Sequence, residues 1–498
     1  MRKRIVAFMS CMAVIPVVAL MVSCSSLGGS GTGAGTGTGT TPTASGSVVT
    51  FGTDAPVCDA ESFVVTITSA SLVPQSGGTP VSLISSTAPA TVDFSHLVDF
   101  TNILSVASSV PAGTYSGLQV TLSNPQLIVL NTSTSPVTPL SVPVTLTATS
   151  TTFTISPALV VSSGTMSALN VDFNLLKSLA VDSGGQVTGT VDPVMTITSN
   201  SASGPPIGAA DALYGVVQSV STTSLPSGYN GSFALTLGDG TGQTLTVLTN
   251  SQTTFEGDGV TTFANLTAKT FVEVSVSVNS DNQIVAQEVD AEEPTSTTNQ
   301  QSAFLGRIIN VTRAGSSNAT AFTLLVDAEV PDLSSVVPLH STLNVTLSGT
   351  VAYFTNGQAW NRQDFTFGPQ TIGLGQKVAV FGGLQAGSTL AASNIFLRPQ
   401  NLLGTFQTLQ ASGSDGKTGA FTMVPCSSLF GGQGVTAMTY GSTYFTGVTG
   451  LTGLAPTPML DTTGLLYYQL TSGTTPDGAA WTAPTWVIET IGVHQPPN

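Results

Sequence analysis

The residues of this 498-residue chain that could carry chemistry are few: three histidines, four cysteines and a sparse set of carboxylates. His96, His340 and His494 lie in three distant regions. A metal site or a Ser-His-Asp relay needs imidazole beside carboxylates or a nucleophile. Only His96, close to Asp99, has an acidic neighbour in sequence, and an isolated histidine is the plainer reading. There is no H-E-x-x-H pattern and no serine in a G-x-S-x-G turn. Ala411 to Thr418, read A-S-G-S-D-G-K-T, has the outline of a phosphate loop. Such a loop needs a helix leaving it, so that backbone N–H groups aim at phosphate. Here Gly-Ala-Phe-Thr-Met-Val follows, which is a strand, so the segment is expected to be a hairpin turn.

Two further chemistries have weaker support. The segment from Asp239 to Glu293 is rich in carboxylates, with Glu256, Asp258, Glu273, Asp281, Glu288, Asp290 and Glu292 against Lys269 alone. Oxygen ligands on turns suit calcium, but no D-x-D-x-D-G loop is present, and acidic turns also keep a charge-poor protein soluble. The expectation is therefore no cofactor, with calcium as the one ion to consider. Trp481 and Trp486 could stack on sugars or fill one face of the last module. The acidic residues are too scattered to name the carboxylate pair of a glycosidase.

The cysteines divide by position. Arg2, Lys3 and Arg4 precede an uncharged apolar run from Ile5 to Val22, the layout of an export signal. Leu20-Met21-Val22-Ser23-Cys24 then resembles the lipobox of bacterial lipoproteins, with Met21 where leucine is usual. The resemblance implies cleavage before Cys24 and lipidation of its sulfur, leaving residues 1–23 as signal peptide. Two or three acyl chains, at ~0.8 kcal/mol per buried methylene, would anchor the protein stably. Residues 24–46 are nearly all Gly, Ser, Thr and Ala, a flexible tether. Cys58 and Cys426 remain, either as a disulfide in an oxidising compartment or as two separate thiols.

Composition fixes what must position these residues. Charged residues are 7% of the chain, against ~25% in a typical soluble domain. Gly (52) and Pro (28) are abundant, and the net charge is −15. Coiled coils and helical bundles are excluded. So is a nucleic-acid partner, which needs clustered Lys and Arg. Short runs of Val, Ile, Thr, Leu and Phe with period two, such as Phe63 to Thr68, Leu118 to Leu122 and Val194 to Ile197, alternate with turn clusters. Helical period shows only near Leu175 to Leu179 and Phe94 to Leu104. Beyond Gly204 the chain repeats: Tyr214-Gly215, Leu305-Gly306 and Leu403-Gly404 each open a unit, and Thr254-Phe255, Tyr353-Phe354 and Tyr444-Phe445 recur within them. Two units close on Ala286 to Val289 and Ala392 to Ile395. The third departs, ending on Trp486-Val487-Ile488.

Thr53-Asp54-Ala55-Pro56, Val110 to Tyr115 and Leu169 to Phe173, in that order, resemble landmarks of a bacterial lipoprotein family catalogued as a domain of unknown function, forty-three eighty-two in that series. The resemblance implies a β-sandwich over 47–200 and brings no chemistry. Asp54 itself reads as a turn residue whose carboxylate accepts backbone N–H bonds, and Tyr115 as the start of a strand. The repeats resemble a second such family, fifty-six sixty-six, most clearly over Tyr214 to Glu293.

The expected architecture is all-β: a sandwich, then three small barrel or sandwich modules in tandem at 214–293, 304–400 and 402–492. The expected protein is a lipid-anchored member of the cell envelope, on the periplasmic or cell-surface side. Its modules are non-catalytic binding or structural units, with an envelope protein or a glycan as partner. The alternative is an envelope hydrolase or a glycan-binding protein acting on polysaccharide.

Overall fold

The computed structural model describes residues 44–55, 60–97, 101–131, 134, 137–181, 187–200, 207–238, 243–257, 259–279, 281, 283–292, 302–314, 318–330, 336–355, 366–385, 388–456, 459–468, 473–474, 480–481 and 485–494. The period-two pattern becomes strand almost everywhere. Gly231–Leu237 is typical: Phe233, Leu235 and Leu237 turn inward while Ser232, Ala234 and Thr236 face outward. Strands make up 67% and helix 4% of the described residues, so the fold is all-β.

The N-terminal region is built on one ten-stranded sheet. Its main path runs Val81–Ile84, Ala60–Pro74, Gly113–Asn131, Ser150–Val161, Met195–Asn200, Met166–Asn174, Ser45–Ala55 and Asn102–Pro111. Ala90–Asp93 and Thr138–Val142 add to it off that path. The sheet curls until its two end strands come into contact. One apolar face therefore closes on itself: Phe63, Leu118 and Leu159 from one half share a core with Ile197, Leu169, Val48 and Leu104 from the other. This is the two-layer packing of a sandwich, made from a single hydrogen-bonded surface. Of the two helical readings, Leu175–Ser178 is one turn, capped by Asn174. The other shrinks to the 3-10 turn Phe94–His96. From Asn102 onward that segment is strand, because it pairs antiparallel with Ser45–Ala55.

Three six-stranded sheets follow. The first comprises Gly208–Ser221, Gly231–Leu237, Thr244–Thr249, Thr254–Gly257, Phe271–Val278 and Ile284–Glu292. The second comprises Ser302–Ala314, Asn318–Val330, Thr342–Thr346, Ala352–Thr355, Lys377–Gln385 and Thr389–Leu397. The third comprises Gln400–Ser412, Gly419–Pro425, Val435–Thr439, Tyr444–Thr446, Met459–Tyr467 and Thr485–His494. In each the order is third, second, first, fifth, sixth, fourth, and the third strand also pairs with the sixth. That extra pairing is parallel and closes a barrel. The third and fourth strands lie one after the other along the same edge of the sixth, as in Val247 beside Ile284 and Phe255 beside Val289. Read as one interrupted strand, they give the connectivity of the five-stranded OB barrel. In the third unit a small hairpin, Gly473–Thr474 with Ala480–Trp481, separates the fifth and sixth strands. At the sixth-strand position of Ala286 and Ala392 the third unit has Ile488, which is why it lacks the closing pattern of the first two.

The glycine that opens each repeat has a steric cause. A Cβ on Gly215 would lie 2.2 Å from the Thr236 carbonyl oxygen, on Gly306 2.0 Å from that of Leu325, and on Gly404 2.5 Å from that of Val424. At this point the first and second strands of each barrel approach too closely for any side chain.

From Ala44 on, the four units form one compact body. Val49, Phe51 and Met166 of the sandwich share a core with the first barrel. Tyr214 and Phe271 of the first barrel meet Ala303, Ala379 and Phe381 of the second. Leu465 and Tyr467 of the third barrel complete the second barrel's core. Leu130 of the sandwich joins the core of the third.

Replacing Gly306 by Ala should lower stability by about 1–3 kcal/mol, the usual cost of forcing atoms into a packed site. Gly383→Ala is the control, because its Cβ meets nothing within 4 Å. Denaturant unfolding of both variants is the measurement, and equal midpoints would refute the steric origin of the repeat.

Candidate functional site

The densest polar constellation among the described residues lies where the second barrel meets the sandwich and the first barrel. It starts from strand alternation. Ile308 points into the second barrel's core, so Arg307 points out, and Val378 likewise turns Lys377 outward. The two are directly opposite across neighbouring strands. The backbone N–H of Arg398 donates to the Lys377 carbonyl at 2.8 Å, which sets a third cation beside them. Eight basic residues follow Cys24 in the sequence, and these are three of them.

Each is met by acid from another unit or strand. Arg307 Nη1 donates to Glu61 Oε2 of the sandwich at 2.5 Å, with the Glu61 side chain only 4% exposed. Arg398 pairs with Glu273 on the fifth strand of the first barrel. Lys377 is pulled below the ordinary amine range chiefly by burial. Arg307 adds to that shift, while Asp327, Glu273 and Asp93 oppose it.

Beside this row Ser62, Asp93 and His340 converge. Ser62 Oγ donates to Asp93 Oδ2 at 2.5 Å and lies 3.1 Å from His340 Nδ1. His340 Nδ1 is 3.4 Å from the same Asp93 oxygen. Asp93 Oδ1 accepts from the Phe63 and Ser95 backbone N–H groups and from Ser95 Oγ. His340 sits at φ 62°, a left-handed conformation that histidine tolerates better than most residues, and its N–H donates to the Val326 carbonyl. A nucleophilic relay uses both imidazole nitrogens, one for serine and one for aspartate. Here one nitrogen faces both, and the serine proton goes directly to the carboxylate. The trio is wired as a latch between sandwich and second barrel.

Polar contacts also join the second barrel to the third. Gln376 Nε2 donates to the Leu466 carbonyl at 2.9 Å, and Tyr468 donates to that of Leu374 at 2.6 Å. Tyr214 lies at the junction with its hydroxyl buried and without a hydrogen bond. Burial raises its pKa far above the phenol range, with Glu273 adding and Arg398 opposing. Burial raises Tyr468 likewise.

The residues singled out in the sequence fall differently. His340 reaches the junction; His96 and His494 lie on the turn Phe94–His96 and the strand Thr485–His494, and their side chains lie outside the described residues. Asp54 stands at the end of a strand, and its Oδ1 accepts from the Leu175 N–H at 3.1 Å. Tyr115 donates to the Pro111 carbonyl at 2.7 Å, pinning its turn. Ala411 to Thr418 is a hairpin turn, with Ser412 opposite Gly419 and Asp415 accepting from the Lys417 and Thr418 N–H groups. Among the described residues no three His, Cys, Asp or Glu side chains gather as metal ligands. Cys426 is disulfide-bonded. Cys24, Cys58, Asp99 and the side chains of Trp481 and Trp486 lie outside the described residues. Glu61, Asp93, Arg307, Lys377 and Arg398 escaped the sequence reading. Their one signal is rarity: charged residues inside strand runs of a chain that has few.

Glu61→Gln leaves Arg307 facing a neutral group and should cost about 2 kcal/mol, less than the ~3–5 of a wholly buried pair because Arg307 is partly exposed. The double variant Glu61→Leu/Arg307→Met should recover most of that in the same denaturant titration. Tyr214 has its pKa raised on folding, so its contribution is intact below the ordinary value of ~10 and is lost as pH rises beyond it. Tyr214→Phe should therefore match the parent at pH 7 and unfold less readily than it above pH ~10, as followed by near-ultraviolet circular dichroism.

Known families cover the first half of this architecture. The family model Domain of unknown function (DUF4382) matches residues 45–189, and Domain of unknown function (DUF5666) matches residues 214–290. No curated protein and no solved structure matches the chain. The curled sheet thus carries a DUF4382 match and the first barrel a DUF5666 match, in the order read from the sequence.

Proposed function

We propose that this is a lipid-anchored cell-envelope protein whose body, from Ala44 onward, follows a tether that begins at Cys24 and is a non-catalytic scaffold for binding or structure outside the membrane. The observation that carries the scaffold reading is the wiring of Ser62, Asp93 and His340. These are the residue types that could perform nucleophilic chemistry, and their bonds are spent joining two units. The anchor rests on the basic start, the apolar run from Ile5 to Val22 and the small residue before Cys24. Among the described residues no helix is long and apolar enough to cross a membrane, and residues 5–22 lie outside them. The partner is an envelope protein or a glycan reached by the projecting body.

Mass spectrometry of the mature N-terminus tests the anchor. The expected species begins at Cys24 and carries a diacylglyceryl thioether; a free, unmodified terminus at another position would remove the anchor from the proposal. Turnover of an envelope polysaccharide by the purified protein, abolished by His340→Ala in a variant that still folds, would replace the scaffold with the hydrolase reading.

A further inference from the structure

We propose that Cys58 and Cys426 form a disulfide that clasps the sandwich to the third barrel, closing a covalent loop around all four units. Cys426 is disulfide-bonded, and the chain offers it three partners, Cys11, Cys24 and Cys58. Cys11 lies inside the apolar export run, and the lipobox commits the sulfur of Cys24 to lipid. This elimination rests on the anchor reading; the packing does not.

The described residues that flank the two cysteines lie against one another. Ala60, just beyond Cys58, pairs with Val129. The adjacent Leu130 is buried in one apolar cluster with Leu402, Met423 and Leu429 of the third barrel, and Val137 packs against the same cluster. Cys426 lies between Met423 and Leu429 in sequence, directly after the strand Gly419–Pro425, and its N–H donates to the Leu403 carbonyl at 3.0 Å. The sandwich strand that begins at Ala60 therefore starts against the region of the third barrel that holds Cys426.

The chemistry is thiol–disulfide exchange with a thiol oxidase of the envelope. One thiolate attacks the oxidase disulfide and releases one of its sulfurs as a thiol. The second thiolate displaces the other sulfur and forms the Cys58–Cys426 bond. Two protons and two electrons leave the pair, and the oxidase disulfide becomes two thiols. The clasp has a mechanical consequence. The chain enters the body at Ala44, so a load between the N-terminus and the third barrel runs along the strand Ser45–Ala55 to Cys58 and across the bond to Cys426. The first two barrels are shielded from it.

Protease digestion of the full-length protein without reductant, read by mass spectrometry, tests the pairing in the unaltered chain. The expected result is a peptide containing Cys58 linked to one containing Cys426, separating on reduction with the gain of two hydrogens. A Cys24–Cys426 or Cys11–Cys426 peptide, or free thiols at both positions, overturns the proposal. An unmodified N-terminus beside an intact Cys58–Cys426 peptide removes the lipid anchor and leaves the clasp standing. As a second measurement, Cys58→Ser, Cys426→Ser and the double variant should lower the unfolding midpoint by the same amount, since each removes one bond. Additive losses would show that the two thiols act separately.

Discussion

A cation taken out of water must be given an acid, and the centre of this protein is arranged around that requirement. Arg307 and Lys377 stand directly opposite each other on neighbouring strands, and like charges in that position repel. On a free barrel, water would screen them. Packed against two other units they are tolerable only because Glu61 arrives from the sandwich, Glu273 from the first barrel, and Asp327 and Asp93 lie close enough to act on Lys377. The sandwich and first barrel can dock here only in poses that deliver those carboxylates. The apolar contacts around the junction, including the edge-on pair Phe271–Phe381 at 5.3 Å, contribute attraction without that directional demand.

The fold was far more legible than the junction, and the reason is distance along the chain. Alternation such as that of Phe233, Leu235 and Leu237 is local, so strands could be read from short windows. The repeat was visible because one steric need, bare backbone where two strands nearly touch, places a glycine in each unit. The barrel closure was not visible, since the parallel pairing of third and sixth strands leaves no mark on neighbouring residues. The junction was hidden for the same reason: Glu61 and Arg307 are 246 positions apart, and Ser62 and His340 278. The helical reading of Phe94 to Leu104 failed because two segments were joined into one period. A 3-10 turn capped by Asp93 precedes a strand that pairs antiparallel with Ser45–Ala55.

Burial on both faces changes the usual signature of antiparallel strands. A barrel in water would show polar residues at every second position. Here outer faces are covered by neighbouring units, so Val435–Thr439 is buried at all five positions, and Phe271 and Phe381 point outward into an interface. This is how a chain with 7% charged residues remains a folded body. Much of its outward apolar surface is turned toward its own units.

Three barrels of one topology in one chain pose a pairing problem, because similar faces can dock in the wrong order. The residue after the repeat glycine separates them. It is Val216 in the first barrel, Arg307 in the second and Thr405 in the third. In the first barrel Val216 lies opposite Phe271, whereas in the second Arg307 lies opposite Lys377. One register position thus presents an apolar pair in one unit and a doubly charged pair in the next. Against Val216 and Phe271 the sandwich face would keep the bonds that Asp93 accepts from Ser62, Phe63 and Ser95, but Glu61 would lose the cation it meets at Arg307, a desolvation cost that apolar contact does not return. Specific order among barrels of one topology therefore follows from a repulsive pairing within one unit that only the correct neighbour relieves.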